Sequence, residues 1–278
     1  MLGGPNRLLM NAMSHPFPID HDLHCHSHLS SCSSDPAQTT EAMLAHAKAN
    51  DLKTICVTDH FWDSPVPGAS DWYGPQNFEH ICKNLPLPKD DEVRFLFGCE
   101  TEFCGGKKLA IAPEHYDAFD FIVIPPNHFH MKDFVRPSSY DTAAKIADLL
   151  VERLEQLQAF DLPWRKVGIA HMVLDLIFKE GDHAKVYGLV DEKRFRAAMR
   201  FFADHGTGIE INCWSFLPGW RKDEEAFLRL YRLAKDEGCK FYLASDAHHP
   251  EEMELVTKYA PEVCESLGLT EADCYRVP

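Results

Sequence analysis

The sequence predicts an α/β domain in which seven short parallel strands close, or nearly close, into a barrel. Three observations carry this expectation. Short apolar runs rich in Val, Ile and Phe alternate with longer amphipathic stretches, the pattern of strands joined by crossover helices. Six of the seven runs end in a residue able to bind a metal. Across 278 residues no repeat, low-complexity tract or linker breaks the alternation, which fits one large barrel domain.

In chain order, residues 1–18 are expected to be a flexible tail. Their only apolar patch, Leu8–Met10, lacks a proper h-region and a small-residue cleavage site. The single domain then spans 19–278. The strands are expected at Ile19–His24, Thr54–Thr58, Arg94–Gly98, Phe119–Ile124, Val167–Ala170, Gly208–Ile211 and Phe241–Ala244. Between them, helices are expected at Thr40–Asn50, Ser139–Phe160, Asp191–His205 and Asp223–Glu237. The second carries an apolar stripe of Leu149, Leu150, Leu154 and Leu157, and the last two end near Gly206 and Gly238, which suit helix C-caps. Residues 61–92, rich in Trp, Pro, Gly and Asp, predict a long loop over one end with a short helix at Asn77–Asn84.

Composition narrows the function. The formal charge of −15 disfavours broad nucleic-acid binding, which depends on Lys and Arg neutralising phosphates. It does not exclude a small anionic substrate, since metal ions supply positive charge locally. No apolar run approaches the length of a membrane span. The ten cysteines form no CxxC pair; without a secretion signal they read as reduced thiols in a cytoplasmic protein. No sequence pattern specifies an oligomeric state.

Histidine is the informative excess, at sixteen residues. The first strand leads into His24-Cys25-His26. The next candidates are His60 after TICVTD, Glu100 at the end of RFLFGCE, His128 after FIVIPPN, His171 after VGIA, and Asp246 with His248 in FYLASDAH. In a parallel α/β barrel the C-terminal strand ends meet at one rim, so ligands far apart in sequence converge. His24 with His26, and Asp246 with His248, are spaced i, i+2 and face one side of an extended strand. Imidazole and carboxylate together suit zinc, iron or manganese. A lone HxH is weak and a lone His at a strand end is ordinarily structural; six strand ends together are not explained that way.

The ordered set DLHCHSH, TDH, GCETE, NH, AHM and SDAH resembles the PHP (polymerase and histidinol phosphatase) family over about Ile19 to Pro250. The resemblance implies a distorted (β/α)7 TIM-like barrel, two or three divalent metal ions (Zn, Mn or Fe), and phosphoester hydrolysis. By position, His24, His26, Glu100 and Asp246 would hold one metal. Glu100 would bridge to a second held by His128 and His171, and His60 and His248 would belong to a third. Where many members carry His or Asp shortly after HxH, this chain has Ser31 and Cys32, so Cys32, or else Asp35, is expected at the third site. EINCWSFLPGWR is similar to a stretch that places an Arg near substrate, which assigns Arg221; Asp246, His248 and Arg221 are the expected catalytic residues. HMVLDLIFKE matches the histidinol phosphatase pattern only loosely.

The expected activity is hydrolysis of a small phosphate monoester on a phosphorylated metabolite, by a hydroxide shared between metals. Two alternatives are a nuclease or phosphodiesterase, disfavoured by the acidic balance, and a non-catalytic metal-binding regulatory barrel, disfavoured by the full ligand set. His130 and His249 could contact substrate, whereas His28 is expected on the rim. Trp62, Trp72, Tyr73, Trp214 and Trp220 either pack the loops or cover the substrate, and the cover is the preferred reading because Trp62 and Trp214 follow closely on strand ends.

Overall fold

The computed structural model describes residues 16–173, 176 and 183–278. Most of the expected tail, 1–15, and much of the VLDLIFKE segment lie outside the described residues. The tail ends earlier than expected: Phe17 is fully buried in the main core. Burying its ring outweighs the cost of ordering the chain around it.

In chain order the elements are β1 (His21–Cys25), α1 (Thr40–Ala49), β2 (Thr54–Val57), β3 (His60–Phe61), α2 (Phe78–Ile81), β4 (Arg94–Thr101), β5 (Phe103–Gly105), β6 (Lys108–Leu109), β7 (Phe121–Ile124), α3 (Ala143–Leu157), β8 (Val167–Ile169), α4 (His183–Leu189), α5 (Glu192–His205), β9 (Gly208–Asn212), α6 (Glu224–Asp236), β10 (Lys240–Ala244) and α7 (Leu255–Ser266). The barrel staves run β1-β2-β4-β7-β8-β9-β10, and every neighbouring pair in that order is parallel. This is the expected distorted (β/α)7 TIM-like barrel. Three features lie outside the expectation. The β5–β6 hairpin follows β4, the short β3 pairs with the end of β4, and α4 and α7 complete the helical coat.

Local chemistry sets the boundaries. The side chains of Thr39, Thr142 and Asp191 accept the backbone N–H three residues on, capping α1, α3 and α5. The chain leaves α5 through Gly206 in the left-handed region (φ 73°), a conformation that costs glycine little.

Two features of the barrel place the site. The first is the gradient along its inward-facing residues. On β4 these run Leu96, Gly98, Glu100; on β9 Gly208, Glu210, Asn212; and on β10 with its extension Tyr242, Ala244, Asp246. The lower interior is an apolar plug of Leu23, Cys56, Leu96, Phe121, Val123, Ala170, Tyr242 and Ala244. Tyr275 and Val277 close it from beneath, with the Tyr275 hydroxyl donating to the Arg165 carbonyl at 2.7 Å. Glycine is required inside: a Cβ at Gly168 would come within 2.5 Å of the Phe121 ring and 2.6 Å of the Tyr242 hydroxyl. Large rings thus fill the bottom and polar side chains gather at the top.

The second feature is the seam between β1 and β10. It is closed chiefly by side chains rather than a regular ladder. His21 Nε2 accepts the Leu243 N–H at 3.0 Å, and Asp22 Oδ1 accepts the Ser245 N–H at 3.0 Å. Only above them does backbone pairing resume, from Asp246 N to His24 O at 2.7 Å and from His26 N to Ala247 O at 2.9 Å.

Candidate metal centre

Six of the seven staves contribute donors at the upper rim, and β9 contributes none. His24 lies on β1 and His26 just beyond it, His60 begins β3, Glu100 lies near the end of β4, and His128 follows β7. His171 follows β8, and Asp246 and His248 follow β10. Two turns aim the donors by left-handed backbone at non-glycine residues, His171 (φ 59°) and Asp246 (φ 51°). Such conformations cost free energy and persist where the surroundings impose them. Here the fixing contacts are present. Asn127 donates to the His171 carbonyl at 2.6 Å, Glu210 accepts the His171 N–H at 2.7 Å, and Asn212 donates to Asp246 Oδ2 at 3.1 Å.

The donors form one continuous cluster. Four groups of three have donor atoms within 4.8 Å of one another: His24, His26 and Glu100; His24, His171 and Asp246; Glu100, His128 and His171; and His26, His60 and His248. Glu100 stands at the centre. Its Oε2 lies 2.7 Å from His60 Nδ1, 3.5 Å from His26 Nε2 and 3.6 Å from His24 Nε2. Its Oε1 lies 3.5 Å from His128 Nε2 and 3.6 Å from His171 Nε2. Asp246 closes the far side, 3.1 Å from His26 Nε2 and 3.2 Å from His171 Nε2.

This geometry fits cations. Both Glu100 oxygens, His60 Nδ1 and His171 Nε2 are buried without a hydrogen-bond partner. Leaving such groups unsatisfied is costly, and an ion between them satisfies several at once. The protonation pattern agrees. Burial opposes charge on Glu100, but His60 and His24 hold its carboxyl well below the usual range. Burial likewise disfavours a charged His24, yet Asp246, Glu100 and Glu210 hold its pKa well above the ordinary value. Burial and the neighbouring His248 and His60 push His26 well down. Protons and carboxylates balance one another here, and divalent cations would replace those protons.

Behind the donors stand groups that fix the ring orientations. Glu210 Oε1 lies 2.6 Å from His24 Nδ1, and Glu102 Oε2 lies 2.6 Å from His128 Nδ1 and accepts the Tyr73 hydroxyl. His26 Nδ1 donates to Ser30 Oγ at 3.0 Å, and Ser30 donates to Asp59 at 2.7 Å. A carboxylate or hydroxyl at Nδ1 leaves the Nε2 lone pair facing the cluster. Sequence reasoning missed Glu210, Glu102, Asp59 and Ser30. A signal existed for two of them: Glu102 is spaced i+2 from Glu100 on one chain face, and Glu210 is a carboxylate between Ile209 and Ile211 in a short strand.

Cys32 lies beside the His26, His60 and His248 group without being part of it, and lines the same cavity. Burial raises its pKa, but His248 and His60 outweigh that and bring the thiol down to about 7. Asp35 turns away, its carboxylate accepting the Ala37 N–H at 2.8 Å.

Arg221 is a correction. After β9 the chain makes two 3-10 turns, Cys213–Phe216 and Trp220–Asp223, which carry Arg221 to the outer surface. There it is half-exposed and paired with Glu224 at 2.7 Å and Glu262 of α7 at 2.6 Å. The aromatic cluster also divides. Trp62 is buried beneath the loop with Tyr73, and Trp220 packs edge-on to Phe216 on the outer side. Trp72, Tyr73 and Trp214 line the cavity. His130 lines it too, whereas His249 caps the turn at Pro250–Glu254 and His28 sits exposed at the rim.

The cavity above the donors holds about 720 Å³, the scale of a small-molecule site. No helix among the described residues is long and apolar enough to cross a membrane.

A family model described as PHP domain matches residues 22–213. A probable phosphatase of Caldicellulosiruptor saccharolyticus is 24% identical over 230 residues, covering 83% of this chain and 80% of its own. Among solved structures, a histidinol phosphate phosphatase from Lactococcus lactis subsp. lactis, complexed with zinc, L-histidinol and phosphate, superposes with a TM-score of 0.57. The two share 16% identity, with 92% of this chain and 98% of that one covered. A putative histidinol phosphatase from Listeria monocytogenes gives a TM-score of 0.55 at 14% identity, covering 84% and 97% respectively.

Proposed function

Since this chain belongs to the PHP domain family, we propose that it is a metal-dependent phosphatase acting on a small phosphate monoester. The observation that carries the proposal is the buried cluster around Glu100, whose two oxygens have no hydrogen-bond partner amid five histidines. His24, His26, His60, Glu100, His128, His171, Asp246 and His248 would hold two or three divalent ions, with zinc, manganese and iron suited to the donor set. Cys32, beside the third group, would make that position softer and favour zinc. Such ions supply Lewis acidity toward phosphoryl oxygens and activate a water for attack.

The chain's own residues do the rest. Glu210, Glu102 and Ser30 hold the rings so that donor atoms need not reorganise. Asp246 and His248 stand at the cavity wall, and His248 Nδ1 lies 2.8 Å from the Asp246 carbonyl, which leaves its Nε2 for the donor cluster. A monoester dianion matches a polycationic centre better than a diester's single charge. The phosphatase relative and the zinc- and phosphate-bound neighbour support this reading over a nuclease. All ten cysteines are free, in keeping with a cytoplasmic setting.

The test is hydrolysis of p-nitrophenyl phosphate, bis(p-nitrophenyl) phosphate and a single-stranded oligonucleotide. The chelator-stripped protein is expected to be inactive, and Mn²⁺ or Zn²⁺ is expected to restore monoester turnover by at least about 100-fold. No metal-dependent monoester turnover would refute the proposal; faster diester or oligonucleotide cleavage would favour the nuclease reading. In the same assay Arg221→Ala is expected to leave kcat and KM within about twofold, since exposed ion pairs contribute little.

A further inference from the structure

The walls of the cavity are chemically divided. The polar residues, among them His60, His128, Asp246 and His248, belong to the donor cluster or lie against it. The outer wall is made by Trp72, Tyr73, Met131, Leu176 and Trp214. Among the described residues no Lys or Arg lines the cavity, and Asp246 is its one carboxylate.

Trp72 is the clearest feature. It is 40% exposed, one of few large apolar side chains left open to solvent among the described residues. Its ring is nonetheless held firmly, edge-on to His60 with centroids 5.0 Å apart and to Tyr73 at 4.6 Å. The loop beneath is pinned, since Gln76 donates to the Trp72 carbonyl at 3.1 Å and accepts the Ser31 N–H at 2.8 Å. Trp214, which also lines the cavity, is fixed by its indole N–H, which donates to the Asp246 carbonyl at 3.3 Å. Two indoles thus stand in fixed positions beside the donor cluster. Preorganised aromatic rings bind flat apolar groups without an ordering cost.

Resting on the phosphatase reading, we propose that the substrate's organic part is an uncharged aromatic ring system that packs against Trp72 and Trp214 while its phosphate meets the cluster. A second anionic group finds no Lys or Arg among the described wall residues. An ammonium finds no carboxylate outside the donor set among the described wall residues and would be repelled by cations bound there. A sugar finds few hydrogen-bonding partners on the outer wall, and burying its hydroxyls there without them is unfavourable. The cavity volume accommodates one or two fused rings.

The experiment compares metal-loaded protein on four alkyl phosphates with similar leaving groups: 2-(2-naphthyl)ethyl phosphate, glycerol 1-phosphate, choline phosphate and 3-phosphoglycerate. The naphthyl ester is expected to exceed each of the others in kcat/KM by about 30-fold or more, mainly through KM. Trp72→Ala and Trp214→Ala are each expected to cut the naphthyl-to-glycerol selectivity ratio by about 10-fold, with Trp72→Phe retaining most of it. As an activity-free readout, naphthylethyl phosphonate is expected to quench tryptophan fluorescence in the loaded protein, with Kd raised in Trp72→Ala. Equal turnover of the four esters, or preference for a polar or charged one, would overturn this inference and leave the phosphatase reading standing. Failure to hydrolyse any of them, with metal bound, would overturn that reading and this inference with it.

Discussion

Glu100→Ala is expected to lower turnover of a phosphate monoester by at least about a thousandfold and to reduce bound metal per chain, while the barrel stays folded. The reasoning is geometric. Five histidine donors lie 2.7–3.6 Å from the two Glu100 oxygens. Among the described residues no other carboxylate reaches all five, because Asp246 approaches His24, His26 and His171 but not His128. Alanine therefore removes the anion shared by the proposed ions, leaving imidazoles that repel one another when protonated. Elemental analysis after metal supply, activity, and far-UV circular dichroism together check the result. Full metal content with near-normal turnover would remove Glu100 from its proposed role.

The second large effect is expected at Glu210, a residue that contacts no substrate in this reading. It is fully buried, and its two oxygens serve two donors, His24 through Nδ1 and His171 through the backbone N–H. Glu210→Ala leaves both without their acceptor. Breaking a buried, hydrogen-bonded charge pair costs about 3–5 kcal/mol. Loss of a carboxylate behind a metal-binding His weakens metal affinity by about 10–100-fold. Glu210→Gln, which keeps the volume and one acceptor, is expected to recover most of the stability but not the full metal affinity. Urea denaturation and competitive metal titration separate the two effects. Unchanged metal affinity in both variants would reduce Glu210 to a packing role.

These effects divide along the line between what the sequence displays and what folding creates. The seven staves and the donors at six of their ends were legible because a parallel barrel converts strand order into a ring, so a His, Glu or Asp at six apolar termini implies convergence without tertiary information. The groups behind the donors were not legible as such. Glu210 looks like an inward polar residue, and only the approach of β1 and β8 shows that it serves His24 and His171. Arg221 failed for a related reason. Its placement followed a motif along the chain, but the two 3-10 turns rotate it outward to Glu262 on α7. That helix was itself unanticipated, since Pro261 interrupts its pattern. Phe17 fell within the expected tail of residues 1–18, although its ring fills the core.

The side-chain seam between β1 and β10 has a consequence for breathing motions. A stave joined through His21 and Asp22 lacks the cooperative ladder that protects its neighbours, and local opening follows the least cooperative contacts. Residues that would hold the ions lie on both sides of this seam, His24 and His26 on one and Asp246 on the other. Loading would rivet the two edges together, adding binding free energy to the closed form alone. Amide exchange at Leu243 and Ser245 is therefore expected to be fast in the stripped protein and to slow on loading more than exchange at Ile122 in the middle of the sheet. Under this expectation the barrel's weakest joint is also its sensor of occupancy, and a cell short of metal would hold a protein that opens, and is proteolysed, from that joint first.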